Sequence, residues 1–544
     1  YALAGLGVAP LDVWDITDPA APQVLGGYAQ DASAVRWADA APRRYVVAAR
    51  SQRGTAAATW APDQPDLRSP YNGADYLAIT YNPAGSTSWG DALGPLVARR
   101  TAQGLRPRVI DVQWIYDQFG DGRVDPAAIR AFLAYAYANW LAPAPSYVLL
   151  VGDGTYDPHD YEGNTGNGFA PNYIPPYLAY VDPWLGETAA DNRYVTLAGN
   201  DALPEMHLGR FPAASLADVT TMVNKTIAFE QADPEAAWLD RMVLVADDPD
   251  GAGDFHQISD DLRSILPPTV VTATHYFKTG DNVGTFRANL SASLNSGALF
   301  VNYIGHSGID VWADPALYTQ PMITGLSNGA MLPIMLPMTC YAGYYHTSFG
   351  SALSEVELRH PGGGAVASWS PTGLGIATGH DYLNRGLLTA VYSGGARRLG
   401  PATLKGKLAL NAQGLLAPDL LDTYLIIGDP ALQIPLPFTP ITAVADSVQV
   451  GQNTAGTLID PRANDLDPYN NGLAIVAAGA PLHGSVSLNR AGTGLTYTPQ
   501  RRYVGPDTFT YTVLNPANGS RSSATISITV LATGSDLFIP HIRR

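Results

Sequence analysis

Short runs of alternating apolar and polar residues dominate the first 72 positions of the chain. In PLDVWDITDPAAPQVLGGY and RRYVVAARSQ, these runs lie between clusters of proline, glycine and aspartate. A period of two is typical of strands, and the clusters mark the turns between them. The pattern predicts an N-terminal β-rich segment over residues 1–72.

The period changes at residue 73, where strands begin to alternate with helices. DYLAITY and YVLLVGDGTYD are predicted strands, whereas WGDALGPLVARRTAQG and DPAAIRAFLAYAYANWL carry apolar residues at helical spacing. Strands that alternate with helices favour an α/β unit with a parallel sheet. We assign residues 73–235 to a first α/β subdomain.

A second α/β subdomain is predicted over residues 236–437. Its strands are predicted in RMVLVADD, SGALFVNYIGHSG, MLPIMLPMTC, GGAVASWSPTG and TYLIIGDPALQIPLP. Three of them end at residues that can do chemistry, namely the pair Asp247 and Asp248, then His306, then Cys340. Functional groups of parallel sheets gather at the carboxyl ends of strands, so we expect these side chains to lie together.

Helical spacing ends near residue 438. Segments such as GSVSLNR, GLTYTP, DTFTYTVLN and SATISITVL predict an all-β sandwich over residues 438–532, followed by a tail at 533–544. No period of 20–50 residues recurs, which argues against a solenoid or a propeller.

Composition and charge narrow the function classes. The 544 residues carry a formal net charge of −16, with 32 Lys plus Arg against 48 Asp plus Glu. Such a balance argues against a nucleic-acid partner, because phosphate binding requires a concentrated positive surface. We expect no transmembrane segment, since no apolar run approaches the ~20 residues that span a bilayer. The low charged fraction of 15% resembles that of secreted bacterial proteins.

The lone cysteine and the neighbouring histidine are the candidate catalytic pair. A nearby His can hold a Cys as thiolate and imidazolium, and can later protonate a leaving amine. An acid beyond the His, Asp247 or Asp248, would fix its tautomer. Backbone N–H groups near Gly305, Ser307 and Gly308, together with the amide of Cys340, are candidates for an oxyanion site.

Structural roles compete with each of these assignments. A lone buried Cys is commonly a small core residue. His306 can be a turn residue that bonds nearby backbone, and Asp247 or Asp248 can cap a helix or a turn.

At these residues the sequence resembles the gingipain-type cysteine peptidases, which have a caspase-like fold. The resemblance rests on FVNYIGHSGIDVWADP followed by LPIMLPMTC, with ADYLAITY, YVLLVGDGTYD, ADNRYVTLAGNDALPEMHLGRFPA and YLIIGDPALQI in the same order. It covers about residues 73–437. It implies a cysteine endopeptidase with Cys340 as nucleophile, His306 as general base and acid, and Asp248, or else Asp247, as the supporting acid.

The same resemblance implies a substrate pocket and bound calcium, but no cofactor for the chemistry. An acid in the family's pocket selects Arg or Lys, for which Asp260 and Asp261 are candidates here, with Trp312 as a cleft wall. Alternatively, Asp260 and Asp261 lie on a solvated helix face, and Trp312 is a core residue. Structural calcium is suggested by clustered oxygen donors, with the candidate ligands Asp248, Asp250, Asp254, Asp465 and Asp467.

Residues 441–531 resemble bacterial Ig- or cadherin-like modules through ANDLDP and DTFTYTV. That resemblance implies a spacer or adhesive role, attachment to the cell surface through the C-terminal region, and an extracellular location.

Three functions are therefore open. The first is a secreted endopeptidase acting on proteins or peptides, with a preference for basic residues before the cleaved bond. The second is a sorting transpeptidase, in which an amine replaces water in attacking the acyl-enzyme. The third is a silent structural or adhesive scaffold, since a fold does not guarantee a function.

Overall fold

The computed structural model describes most of the chain in two compact units, Tyr1–Pro65 and Asp66–Arg544. In the first unit the structure describes residues 2–4, 10–17, 23–26, 28–31, 34–37, 43–49 and 64–65. In the second it describes residues 66–83, 86–163, 172–199, 201–414 and 417–533. The predicted tail therefore lies outside the described residues, except for Thr533.

The first unit contains short antiparallel strands, as its alternating pattern predicts. They are β1 (Ala2–Ala4), β2 (Leu11–Asp15), β3 (Gln23–Val24), β4 (Ala29–Gln30), β5 (Ala34–Arg36) and β6 (Tyr45–Ala49). Among the described residues they form two small sheets, in the orders β1-β5-β4 and β3-β2-β6. Leu11, Val13 and Val35 form the small core.

The unit ends at Pro65 rather than at the predicted residue 72. Leu67 accounts for the difference, because it is buried in a core cluster of the second unit. Its carbonyl accepts a hydrogen bond from the Trp140 indole at 3.0 Å.

The second unit is built on one large twisted sheet, whose strands alternate with helices and two small hairpins. The strands of this region are β7 (Tyr76–Thr80), β8 (Pro107–Asp111), β9 (Tyr147–Val151), β10 (Leu178–Asp182), β11 (Gly186–Ala189), β12 (His207–Phe211), β13 (Arg241–Ala246), β14 (Val271–Tyr276), β15 (Phe300–Ile304), β16 (Val311–Trp312), β17 (Tyr318–Thr319), β18 (Ile334–Met338), β19 (Ala367–Pro371) and β20 (Tyr424–Ile427). In the part of the chain that the structure describes, the large sheet has the order β14-β13-β15-β18-β19-β20-β12-β9-β7-β8.

The two predicted α/β subdomains share this sheet. Strands β14 to β19 in that order run parallel, and β20 to β8 also run parallel to one another. The two halves meet at β19 and β20, which pair antiparallel. Strand β20, the last of the second α/β stretch, pairs on its other side with β12 of the first. The carboxyl ends of the two halves therefore lie at opposite edges of the sheet.

Helices cover both faces of the sheet. They are α1 (Ser88–Ala92), α2 (Gly94–Ala102), α3 (Val112–Phe119), α4 (Pro126–Asn139), α5 (Leu216–Glu230), α6 (Phe255–Asp261), α7 (Val283–Asn295), α8 (Gln320–Thr324), α9 (Leu353–Arg359), α10 (Ala377–Tyr392), α11 (Leu399–Asn411) and α12 (Asp419–Thr423). Short 3-10 helices span Asp191–Tyr194, Ala237–Asp240, Leu262–Ile265 and Pro461–Asn464. The starts of several helices follow from local sequence; for example, Ser215 caps α5 by accepting from the Asp218 N–H. No helix within the described ranges is long and apolar enough to cross a bilayer.

A buried ion network ties the closing GDPAL motif to the first half. Arg100 on α2 contacts Glu230 on α5 at 2.7 Å and Asp429, which follows β20, at 2.9 Å. All three side chains are fully buried. Removing one partner from such a group leaves a buried charge uncompensated, which costs about 3–5 kcal/mol.

The predicted Ig-like sandwich is confirmed after the α/β region. Its strands are β21 (Asp446–Gly451), β22 (Thr457–Ile459), β23 (Ala474–Ala478), β24 (Gly484–Leu488), β25 (Leu495–Pro499), β26 (Gly505–Leu514) and β27 (Arg521–Leu531). They form sheets in the orders β21-β27-β26-β23 and β22-β25-β24. The N–H groups of Arg397 and Arg398 donate to the Ala517 carbonyl at 2.7 and 3.1 Å, which joins the sandwich to the α/β region.

The order of the strands determines where the candidate residues meet. Strands β13, β15 and β18 are adjacent, and Ala246 is in register with Ile304, which is in register with Met338. The loops that follow these three strands therefore leave the sheet side by side at one edge, here called the catalytic edge.

Candidate active site

His306 is two residues past β15, and a glycine separates it from the strand. Gly305 has φ +154°, a conformation that L side chains rarely adopt. A Cβ at this position would lie 2.3 Å from the Asp247 Cβ. Glycine therefore allows the loops after β13 and β15 to approach closely and brings His306 beside the acidic loop.

Main-chain contacts hold His306 in place. Its carbonyl accepts from the Tyr303 hydroxyl at 2.5 Å and from the Ala313 N–H at 2.9 Å. Its N–H donates to a carboxylate oxygen of Asp247 at 3.3 Å. The imidazole meets the Phe255 ring edge to face, with centroids 5.5 Å apart.

The acid that contacts the His306 ring is Asp250. Its Oδ2 lies 2.9 Å from Nε2 of His306, and the two side chains are 47% and 54% exposed. The Asp250 carboxylate also accepts from the Ala252 N–H at 2.7 Å, which fixes its orientation. Donation by Ala252 and the hydrogen bond with His306 lower the pKa of Asp250.

The two acids expected to support His306 have other contacts. Asp248 accepts from the hydroxyl of Thr279 and makes no hydrogen bond to the imidazole among the described residues. Asp247 is buried and accepts from the N–H groups of Asp248, at 2.8 Å, and of His306. Burial raises the pKa of Asp247. The structure therefore corrects both choices, because Asp247 holds the backbone of the loop and Asp248 contacts a threonine.

Cys340 is two residues past β18, on the loop beside that of His306. Thr339 donates its hydroxyl to the Gly305 carbonyl at 2.6 Å, which joins the two loops. Cys340 is partly exposed, so the thiol is not sealed in the core. This partial exposure argues against a cysteine sealed in the core.

The thiol donates to a carbonyl rather than forming an ion pair. Cys340 Sγ lies 3.9 Å from the Gly375 carbonyl oxygen. Burial raises the pKa of the thiol. Among the described residues no hydrogen bond joins Sγ to His306, so the expected thiolate–imidazolium pair is not formed in this structure. Asp250 engages Nε2 of His306, which leaves Nδ1 as the nitrogen for proton transfer.

Three of the four candidate oxyanion groups, those in the loop after β15, differ in availability. The Gly308 N–H donates to the Val311 carbonyl at 2.9 Å, so the expectation for Gly308 is wrong. Ser307 pairs with Trp312 across an isolated bridge, and its hydroxyl donates to the Gly308 and Val311 carbonyls. That bridge uses the His306 carbonyl and the Gly308 N–H, and leaves the Ser307 N–H out of its hydrogen bonds. The Gly305 carbonyl accepts from Thr339.

The expected pocket residues lie elsewhere. Trp312 is 1% exposed and stacks on Tyr303 with ring centroids 4.2 Å apart, so it is a core residue and not a cleft wall. Asp260 contacts Arg263 at 3.2 Å and accepts from Tyr276, and Asp261 accepts from Gln257 at 2.7 Å. Both acids are about half exposed on α6, which fits the solvated helix face.

The five candidate calcium ligands do not come together. The described residues contain no group of three or more His, Cys, Asp or Glu side chains with metal-binding geometry. Asp254 caps α6, Asp465 accepts from Val444 N–H and Tyr511, and Asp467 accepts from Gly472 N–H and Asn515. The side chains present therefore do not fit a calcium site at these positions.

Sequence reasoning missed two contributors to the site. Asp250 starts an Asx turn, a signal that DPDG carries, but nothing in the sequence shows that the turn faces His306. Asp182, at the end of β10, accepts from the Leu374 N–H at 2.6 Å, one residue before Gly375. Its position could not be predicted, because it comes from the long connection after β9 in the other half of the sheet.

Comparisons with known proteins give the same division into an α/β region and a C-terminal sandwich. The model of peptidase family C25 matches residues 69–435, and that of a bacterial Ig domain matches residues 438–529. Gingipain R1 of Porphyromonas gingivalis is 25% identical over 324 residues, which cover 57% of this chain and 32% of that protein. Lys-gingipain W83 of the same organism is 25% identical over 252 residues, which cover 43% of this chain and 12% of that protein.

Solved structures share the fold. The crystal structure of the Arg-specific cysteine proteinase gingipain R superposes with a TM-score of 0.55 at 19% identity, over 87% of this chain and all of that one. The complex of the gingipain RgpB pro- and mature domains from P. gingivalis gives the same score over 83% of this chain. This chain spans about a third or less of the length of the curated relatives given above. The chain belongs to peptidase family C25, the gingipain-type cysteine peptidases, and carries a bacterial Ig domain after its α/β region.

Proposed function

We propose that the protein is an endopeptidase in which Cys340 attacks the peptide carbonyl and His306 transfers the proton. The observation that carries the proposal is the catalytic edge itself, where adjacent parallel strands deliver both side chains and Asp250 holds the imidazole at 2.9 Å. A nucleophile beside a base that a third group orients is the arrangement of covalent catalysis.

The reaction then follows in two steps. Nδ1 of His306 takes the Sγ proton as sulfur bonds to the carbonyl carbon, and the carbonyl oxygen becomes an oxyanion. The N–H groups of Ser307 and Cys340 donate to that oxygen. The tetrahedral intermediate collapses, the C–N bond breaks, and the imidazolium protonates the leaving amine. Water, deprotonated by His306, then attacks the thioester and releases the acid and the thiol.

Two observations bear on the state of the thiol before the attack: its Sγ contacts the Gly375 carbonyl, and burial raises its pKa. A thiol whose pKa lies above its usual range is protonated at neutral pH. In the proposed mechanism His306 therefore removes the thiol proton during the attack, and substrate binding brings the sulfur and the imidazole into reach.

Substrate class and location are part of the proposal. The names Arg-specific gingipain R and Lys-gingipain support a preference for a basic residue before the cleaved bond. The contacts of Asp260 and Asp261 do not support a role in selecting the substrate, because each side chain is bound to a neighbouring surface residue. The acidic charge and the Ig domain support an extracellular enzyme held at the cell surface, with the Ig domain as a spacer.

A peptide library cleaved by the wild type and by Cys340→Ala tests the proposal. We expect cleavage by the wild type, none by Cys340→Ala, and equal melting temperatures. Mass spectrometry of the products separates hydrolysis from transpeptidation, because a ligated amine is heavier than a free acid. Equal cleavage by both proteins, or none by the wild type, would remove the proposed function.

A further inference from the structure

A cavity of about 200 Å³ lies between the β10–β11 hairpin and the segment that follows Cys340. It is lined by Tyr156, Leu178, Leu185, Glu187, Tyr344 and His346. The two leucines and Glu187 come from the first half of the sheet, whereas Tyr344 and His346 come from the second. The cavity therefore depends on the docking of the hairpin at the catalytic edge.

Both walls of the cavity are joined to the nucleophile. Tyr344 is four residues past Cys340, and its N–H donates to the Tyr341 carbonyl at 2.9 Å, which closes a turn. Four residues span at most about 14 Å when extended, so this turn places Tyr344 closer than that to Cys340. On the other wall, Asp182 holds the Leu374 N–H at 2.6 Å, next to the Gly375 carbonyl that accepts from the thiol. A peptide bound at Cys340 can thus reach the cavity with a nearby side chain.

The cavity combines one unpaired carboxylate with aromatic and aliphatic walls. Glu187 is exposed and makes no hydrogen bond or ion pair within the described part of the chain. The rings of Tyr344 and His346 lie 4.0 Å apart, and that of Tyr156 lies 6.4 Å from His346. Tyr156 also donates to a second carboxylate, Glu162, at 3.0 Å.

No positively charged lining residue competes with a ligand for the Glu187 carboxylate. The Ala189 N–H donates to Nε2 of His346, and burial lowers the pKa of this histidine to about 3, so the ring is neutral at working pH. Arg210, which acts on the His346 ring electrostatically, is ion-paired with Asp191 at 2.8 Å. A long cation fits these walls, because its methylenes can lie against Leu178 and Leu185 while its charge meets Glu187 and the tyrosine faces.

We propose that this cavity is a second specificity subsite, which takes a Lys or Arg side chain of the polypeptide substrate at a position other than the residue before the cleaved bond. The proposal rests on the proposed function and deepens it. The substrate class is a polypeptide with two basic residues near the cleavage site, one of which binds Glu187.

The test uses peptides with one cleavable bond, in which Lys, norleucine or Glu is placed in turn at each position around it except the one before the bond. Norleucine keeps the length of Lys without its charge. The proteins are the wild type, Glu187→Gln, Glu187→Lys and the control Glu235→Gln, which removes an exposed acid that precedes β13 at the opposite edge of the sheet. Glu187 and Glu235 are both exposed, so these variants are expected to fold.

We expect the wild type and Glu235→Gln to favour Lys over norleucine at one position by roughly three- to tenfold in kcat/KM, as a partly exposed ion pair with an aromatic wall provides. Glu187→Gln should bring the ratio to about one, and Glu187→Lys should favour Glu at that position. Equal ratios in all four proteins would overturn the subsite while leaving the peptidase intact.

A binding measurement keeps the two proposals separate. The same peptides are titrated into Cys340→Ala with and without Glu187→Gln, and fluorescence anisotropy reports Kd. A loss of the Lys preference with Glu187→Gln supports the subsite even if no cleavage is seen. A Kd that does not change with the residue at any of these positions refutes the subsite.

Discussion

Substitution of Asp250 by Asn is the sharpest test of how the site holds His306. The variant keeps the size of the side chain and its acceptor for the Ala252 N–H, but removes the charge that faces Nε2 of His306 at 2.9 Å. The matched control is Asp248→Asn, which removes an acid two residues away and keeps an acceptor for Thr279. Both variants lose one negative charge from the same loop.

The exposure of the pair determines the size of the effect. The His306 and Asp250 side chains are 54% and 47% exposed, so solvent screens the contact between them to about 0–1 kcal/mol. At about 1.36 kcal/mol per tenfold in rate, that corresponds to at most about fivefold. Loss of ring orientation adds to it, and we expect kcat/KM to fall by roughly three- to tenfold. This is far below the ~10⁴-fold loss seen when a buried triad acid is changed.

The assay is steady-state cleavage of a peptide taken from the library, with melting temperatures for each variant. Asp248→Asn should retain the kcat/KM of the wild type within about twofold, since its side chain does not touch the imidazole. A larger loss in Asp248→Asn than in Asp250→Asn would refute the assignment of Asp250. A ~10⁴-fold loss in Asp250→Asn would instead show that the loop closes and buries the pair when substrate binds.

Two further predictions concern the thiol and the loop glycine. Because burial raises the pKa of Cys340, its alkylation by iodoacetamide should reach half its maximal rate above pH ~8.5, the pKa of free Cys. Asp182→Asn should lower this midpoint, because it removes a nearby negative charge. A midpoint below pH 8.5 in the wild type would contradict this. Gly305→Ala should lower the free energy of unfolding by at least about 1 kcal/mol, because its Cβ would lie 2.3 Å from the Asp247 Cβ. It should also lower kcat by more than Asp250→Asn does. A variant that unfolds in denaturant and turns over substrate as the wild type does would contradict this prediction.

The placement of Cys340 and His306 on neighbouring loops was predictable because it depends on simple rules. Each residue follows a short apolar run, and parallel strands put the residues that follow them at one edge. The register of Ile304 with Met338 places the two loops side by side as those rules require. The α/β and sandwich regions were predictable for the same reason, since periodicity alone distinguishes them.

The supporting acid was not predictable, because it depends on a turn rather than on a strand. Asp247 and Asp248 come first after β13, and proximity to the strand end favours them. The chain instead turns at Asp250 and Gly253, whose N–H groups each donate to the other's carbonyl, and the turn carries the Asp250 carboxylate to the imidazole. The prediction that Trp312 forms a cleft wall was wrong for a related reason. Trp312 belongs to the short β16–β17 hairpin, and its ring stacks on Tyr303.

The antiparallel seam between β19 and β20 explains why the catalytic edge needs both halves of the sheet. The strand ends of the first half face the opposite edge, so that half cannot contribute catalytic groups directly from its strands. Its contribution comes through the connection between β9 and β12, which crosses to the catalytic edge as the β10–β11 hairpin. Thr372, just past β19, donates to the Ala189 carbonyl, and Leu374 donates to Asp182 at 2.6 Å. The second half thus carries Cys340 and His306, while the hairpin of the first half holds the loop whose Gly375 carbonyl contacts the thiol and forms the wall that carries Glu187.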